Sequence, residues 1–420
     1  MGVKTGFAGL LLLLGLAPAG LGQQVIATGI GLRYPAVAVA ATGDFVVVWN
    51  DIDGSDIHGV SSLGVFAQLY DRSGKAKGPA FLVHDDRAGD QVQPRVAVDE
   101  RGNFAVVWQG GTFVHGASDW PGGDGDGLGV FIQRFDRNGN RLGRAIRASR
   151  SADGSQAFPN VAMDASGAFV VVWEDCPLLN RCPNLRVGRF TAAGEPKGKE
   201  LEIPVLSAGG SVPPPQILLE PGGFAVGWTE YEACNTLQLE SFPVILRFAD
   251  SGRQLGERFR LEDGDCNDGT GWSLVALTAD RVGSSAAFFN GIRNSVQLFT
   301  PAGDFAGPRM VIGRPNPCNA TRCESIGTAA MDAEGRFAVI WDFQRGTGDP
   351  ADPVRHSLLA QFFDAKGRPF GDRFEIASSP LQFLSPAAVL DPNGTLIVVW
   401  NDLALDTSTY RLLVRQIRPR

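Results

Sequence analysis

Carboxylates recur in one kind of place in this chain, within two residues of a tryptophan that ends an apolar run. Asp51, Glu174, Asp175, Glu230, Asp342 and Asp402 all stand there. Gathered on one face, they could hold a cation or bind a basic or polyhydroxylated ligand. The competing reading, preferred here, is that Asp and Asn bond nearby backbone and cap turns. Asp51-Ile52-Asp53-Gly54-Ser55-Asp56 spaces oxygen donors two residues apart around a glycine, as calcium loops do. Asp124-Gly125-Asp126-Gly127 is a poorer copy. Neither completes an EF-hand spacing, so a solvated loop is preferred over a calcium site. Any cation bound by these residues is expected to be calcium rather than zinc, because the donors are carboxylates. His58, His115, Trp120 and Asp402 are the candidate ligand-binding side chains, with Trp120 in a Gly- and Asp-rich loop outside the repeat pattern.

Enzyme signatures are missing. The chain has no G-x-S-x-G, no H-E-x-x-H and no phosphate loop. Two carboxylates at a set separation could still cleave a glycosidic bond, but sequence cannot supply that separation. The six cysteines are Cys176, Cys182, Cys234, Cys266, Cys318 and Cys323, with no C-x-x-C among them. An even number favours disulfides over zinc. Each falls in or beside a long connection, which predicts three local pairs: Cys176–Cys182, Cys234–Cys266 and Cys318–Cys323.

The elements that must position these groups are repeats. Gly43-Asp44-Phe45-Val46-Val47-Val48-Trp49-Asn50 has six further copies, ending in Trp108, Trp173, Trp228, Phe289, Trp341 and Trp400. Each unit predicts four strands. Strand A opens at Pro35, Pro94, Pro159, Pro214, Val275, Gly327 and Pro386. Strand B is the copied motif, whose apolar run does not alternate and should be buried on both faces. The aromatic that ends it should pack one sheet on the next. Strand C follows, then a turn with two glycines four apart, then strand D. Unit seven lacks strand D, and Gln24-Val25-Ile26-Ala27-Thr28 can supply it. That is how a propeller closes its ring and leaves few open edges. The expectation is an all-β, seven-bladed β-propeller of four-stranded antiparallel blades. The A–B and C–D turns then share one face, short and glycine-ruled. The long, variable B–C and D–A connections share the other, where function should lie.

Lys4, the apolar run Phe7 to Leu16 and Ala17-Pro18-Ala19 read as an export signal, residues 1–22, followed by a single domain, 23–420. A formal net charge of −7 without a basic run argues against nucleic-acid binding. No later segment could span a bilayer as a helix.

The repeat resembles the P-x-V-A-x-D-x-x-G-x-F-V-V-V-W and F-D-x-x-G-x-x-x-G repeats of secreted bacterial β-propeller proteins. That resemblance covers nearly the whole mature chain. It implies the fold and export, to the extracellular space or periplasm, and no defined activity. Unit five departs most, with Ser285 and Phe289 in place of Phe and Trp. The expected function is a non-catalytic binding or adhesion module acting on a carbohydrate or protein through the loop face, as a monomer. The alternative is a carboxylate-based glycosidase or polysaccharide lyase.

Overall fold

The architecture was obtained as a computed structural model. It describes residues 22–419 except 58–59, 86–88, 112–126, 152, 178–181, 206–213, 234–238, 262–271, 292, 314–317, 320–321, 347–353, 380–383 and 404–408. Among the described residues are 29 strands and no helix, so none has a helix long and apolar enough to cross a membrane. The expected leader lies outside them.

The strands form seven antiparallel sheets, each in the order A-B-C-D. Blade one is Arg33–Val39, Phe45–Ile57, Val60–Tyr70 and Phe81–Leu82. Blade six gains a fifth strand, Cys318–Asn319, ahead of its strand A, Arg322–Met331. Blade seven is Leu384–Leu390, Leu396–Leu403 and Tyr410–Ile417, with Gln24–Gly29 from the other end of the chain as its outermost strand. Every strand A packs on the strand A of the next blade, and blade seven packs on blade one. The ring is closed, with the A strands around its axis.

Hydrophobic burial explains why the B strands are so apolar. Phe169–Cys176 and Phe104–Gly111 are buried at every residue. Their side chains alternate between two seams, so both faces need apolar groups. Seven separate cores fill the seven seams. Trp108 packs into the core shared with blade one, and Trp400 into that shared with blade six. The repeated aromatic therefore fastens each blade to the one before it, and none of the seven is a surface platform.

The turn face is closed on itself. Asp99 Oδ1 accepts the amides of Arg101 and Asn103, both at 2.8 Å. Asp71, Asp136, Asp164, Asp280, Asp332, Asp364 and Asp391 repeat the pattern. Gly43 and its counterparts take positive φ there, 84° at Gly43, which suits a residue without Cβ.

Two expectations need correction. Strand A of unit four was expected from Pro214. Its A–B turn is one residue shorter than the others, since Leu219 pairs with Phe224 where Val98 pairs with Phe104 across one more turn residue. Pro215 therefore takes the repeated proline's place, and Pro214 stands one position earlier. The B–C connection of unit one was expected as a long, variable loop. Strands B and C instead continue to Ile57 and Val60 as a ribbon, with a break in register between Ile52 and Asp56. The same extension occurs in blade four and blade six.

Cys176–Cys182 is a disulfide closing a sequence separation of 6. Cys323 is also disulfide-bonded, and strand pairing sets Cys318 opposite it. Cys234 and Cys266 lie outside the described residues. Replacing Cys176 and Cys182 together by Ser is expected to cost about 2 kcal/mol, from the chain entropy that so short a loop removes from the unfolded state. Urea unfolding of both proteins measures it.

Candidate functional site

The residue after each strand B aromatic points to the next blade, and in four seams it latches that blade. Strand A carries a bulge at its proline, and the residue before that proline takes positive φ at Tyr34, Gln93, Phe158 and Ser385. Such backbone costs about 1–3 kcal/mol per residue. The bulge leaves an N–H that the sheet does not use. Asn50 Oδ1 accepts it from Gln93 at 2.9 Å, and Asn50 Nδ2 donates to Gln91 O at 2.6 Å. Gln109 accepts from Phe158 at 2.8 Å, Thr229 from Leu274 at 3.0 Å and Asn290 from Ile326 at 2.7 Å. Asn50→Ala is expected to cost about 2 kcal/mol, because it strands a buried donor and acceptor. Thermal melts against the unaltered protein check it.

The other three seams break the pattern. Glu174 occupies the latch position facing blade four, where Pro214 has no N–H to give. Its carboxyl makes no hydrogen bond or ion pair among the described residues and is 6% exposed. Burial pushes its pKa from an ordinary value of 4.5 to about 7. One of its oxygens lies within 4.8 Å of the Cys176 and Cys182 sulfurs, but the disulfide has consumed both thiols. In blade six the position is Asp342, 3.8 Å from His356. Burial raises its pKa and the imidazole opposes that rise. In blade seven it is Asn401, fully buried, whose side-chain nitrogen and oxygen have no hydrogen-bond partner among the described residues.

Four described carboxylates near this face are committed. Asp402 accepts two hydrogen bonds from Arg411, at 2.9 and 2.6 Å. Asp175 pairs with Arg186 at 2.8 Å, which also holds Glu202. Glu230 bonds Arg258 at 2.7 Å and the Trp228 indole at 3.0 Å. Glu324 pairs with Arg373, whose guanidinium lies 4.1 Å from the Trp341 ring centre. These arginines sit one to three strands away from their partners, so linear reading could not pair them.

Asp51 accepts its own neighbour's amide from Ile52 at 2.8 Å and that of Gly31 at 3.2 Å. Burial raises its pKa against those two donors. Asp53 and Asp56 lie in strand Phe45–Ile57, and their side chains are outside the described part. His58, His115, Trp120, Asp124 and Asp126 lie outside the described residues altogether. His84 is buried, and its Nε2 accepts the Val65 amide at 3.1 Å.

The short, glycine-ruled turns still leave room on their face. A cleft of about 280 Å³ opens there between blades one and two, lined by Thr42, Asp44, Lys77, Arg101 and Arg137. Similar clefts lie over the neighbouring seams. They form because paired turns stand apart where two blades splay.

No protein-family model and no curated protein matches the chain. Solved structures do. A protein of unknown function from Dyadobacter fermentans aligns over 94% of this chain and 100% of its own, at 13% identity and a TM-score of 0.47. The NanB sialidase of Streptococcus pneumoniae aligns over 96% and 71%, at 10% identity and 0.46. An ulvan lyase, described as a new family of polysaccharide lyase, aligns over 93% and 95%, at 9% identity and 0.55. At 9% identity the likeness to the ulvan lyase is one of fold alone.

Proposed function

We propose that the protein is an exported, non-catalytic module that binds a carbohydrate or protein ligand on the face of the B–C and D–A connections. The observation that carries this reading is the contrast between the two faces. Turn-face carboxylates close their own turns eight times over. On the loop face the repeat is broken at Glu174, Asp342 and Asn401, in three seams. Repeat positions that forgo a structural bond are where selection for something other than folding leaves its mark. Separation supports the non-catalytic part. Two-carboxylate glycoside chemistry needs its pair roughly 5 to 10 Å apart. Among the described residues, the two loop-face latch carboxylates free of an arginine are Glu174 and Asp342. They lie three blades apart.

The test is retention of the mature protein on immobilised plant, algal and bacterial polysaccharides, with product assays alongside. A polysaccharide lyase shares the fold, which makes polysaccharides the first probes to try. Binding without reducing ends or unsaturated products is the expected result. One observation favours the alternative: a carboxyl with a pKa of about 7 is a fair general acid at neutral pH. If turnover is found and Glu174→Gln abolishes it while binding persists, the glycosidase or lyase reading replaces this one.

A further inference from the structure

Three cations line the turn-face cleft between blades one and two, and nothing in the repeat requires them. Lys77 comes from the C–D turn of blade one, Arg101 from the A–B turn of blade two and Arg137 from its C–D turn. A Cβ at Gly102 would stand 3.2 Å from the Arg137 Cβ, so the two turns of blade two are in contact. Among the described residues Asp44 is the one carboxylate of the lining, and its Oδ2 lies 2.9 Å from Lys77 Nζ. The guanidinium groups of Arg101 and Arg137 make no hydrogen bond or ion pair among the described residues. The lining thus carries an excess of positive charge, and a concave wall concentrates its field.

The neighbouring seam shows how this cleft comes to be open. The cleft between blades two and three is built from the same repeat positions but measures about 90 Å³. Leu142, Ser166 and Ala192 stand there in place of Lys77, Arg101 and Arg137. Arg134 stands in place of Leu69, opposite Ala105 as Leu69 is opposite Val46. Its guanidinium reaches across the seam to donate to Ala192 O at 2.7 Å, and it also donates to Leu142 O at 2.8 Å. Arg189 crosses in the same way to Asp250 O at 2.8 Å, and Gln416 to Arg72 O at 3.4 Å. A leucine cannot make that bond. At the first seam the corresponding carbonyls, of Lys77 and Arg137, accept no hydrogen bond from the described residues. In place of the crossing donor is a volume of about 280 Å³. Buried Leu69 and Phe104 give it an apolar floor, and the three cations at its rim are exposed.

We propose that this cleft is a second binding site, on the face opposite the long loops, for a sugar that carries a sulfate or phosphate ester. Arg101 and Arg137 take the tetrahedral oxyanion, since a planar guanidinium offers it paired hydrogen bonds. Sugar hydroxyls donate to the two carbonyls that the crossing arginine satisfies in the next seam. The ring lies on the apolar floor, and the few polar groups around it fix its orientation, as in other small-molecule sites. The site does not rest on the loop-face reading, and either can fail without the other.

The experiment uses the chain of residues 23–420 in low-salt buffer, titrated by calorimetry with glucose 6-sulfate, glucose 6-phosphate and glucose. Each ester should bind about tenfold more tightly than glucose, the gain expected of one charge-assisted hydrogen bond. Arg101→Gln combined with Arg137→Gln should lose that preference. Both side chains are exposed, so folding is not at stake. Leu69→Arg should abolish ester binding, because it fills this cleft as Arg134 fills the next. Esters that bind no more tightly than glucose overturn the proposal. So does a double variant that keeps the preference, or a folded Leu69→Arg protein that binds the esters as before. If Leu69→Arg does not fold, the glutamine pair decides. Tighter binding of the sulfate ester makes a sulfated glycan the source of the ligand, and tighter binding of the phosphate ester makes it a phosphorylated sugar.

Discussion

A chain of residues 23–420 lacking Gln24–Gly29 is expected to melt about 6 °C below the same chain with that segment and to self-associate. The segment pairs with Tyr410–Ile417 at five register positions, from Gln24 opposite Val414 to Gly29 opposite Tyr410. At about 1 kcal/mol for each net hydrogen bond, the lost pairing is worth about 4 kcal/mol. Ile26 and Ala27 also pack against the core between blades seven and one. Their partial burial adds about 1 kcal/mol. Unfolding entropy near 2 cal/mol/K per residue converts about 5 kcal/mol into about 6 °C for a chain of this length. The association has a separate cause. Tyr410–Ile417 becomes an uncovered edge, which invites pairing with another molecule. A synthetic peptide of the deleted sequence, added in excess, should restore both the melting temperature and the monomer. If the truncated protein melts with the intact one, the closing strand contributes nothing to the ring.

Much of this was legible because the fold is a repeat. A glycine turn, an unbroken apolar strand and an aromatic, seven times over, already imply blades packed face to face. The surplus strand at Gln24–Thr28 matched the strand missing at the other end. Legibility ended where one unit's chemistry depends on its neighbour's. The polar residue after each aromatic looks like a turn former until its partner is seen in the next blade. Glu174 read as one member of an acidic ring. Its distinction lies in Pro214, forty residues on, and a one-residue difference in a turn had hidden which proline mattered. The arginines holding Asp402, Glu230 and Glu324 come from other strands.

Replacing Glu174 by Gln is expected to stabilise the protein above neutral pH and to leave it unchanged in acid. The sign follows from the direction of the shift. Unfolded, the carboxyl has its ordinary value of 4.5, and folding raises it to about 7. Below about pH 4.5 the group is neutral in both states, so it costs nothing. As pH rises from there to about 7, the unfolded chain gives up the proton while the folded one keeps it, and stability falls. Above about pH 7 both are ionised and the full cost is in place, about 3 kcal/mol for a shift of this size. Asp342 carries a shift in the same direction, and Asp71, Asp136 and Asp364 carry opposite ones. The quantity to measure is therefore the difference between the two proteins, by urea unfolding from pH 4 to pH 8. It should start near zero and climb to about 3 kcal/mol. A second substitution isolates the cause. Pro214→Gln gives blade four the residue that blade two has at Gln93, and with it the N–H that the latch lacks. A carboxylate that accepts that N–H is stabilised in its charged form, so its pKa falls. The pH-dependent part of the difference should then shrink by more than half. A difference that stays constant across the range in both backgrounds would mean that Glu174 is solvated as an ordinary surface carboxylate, and that the break in the latch at this seam has no energetic consequence.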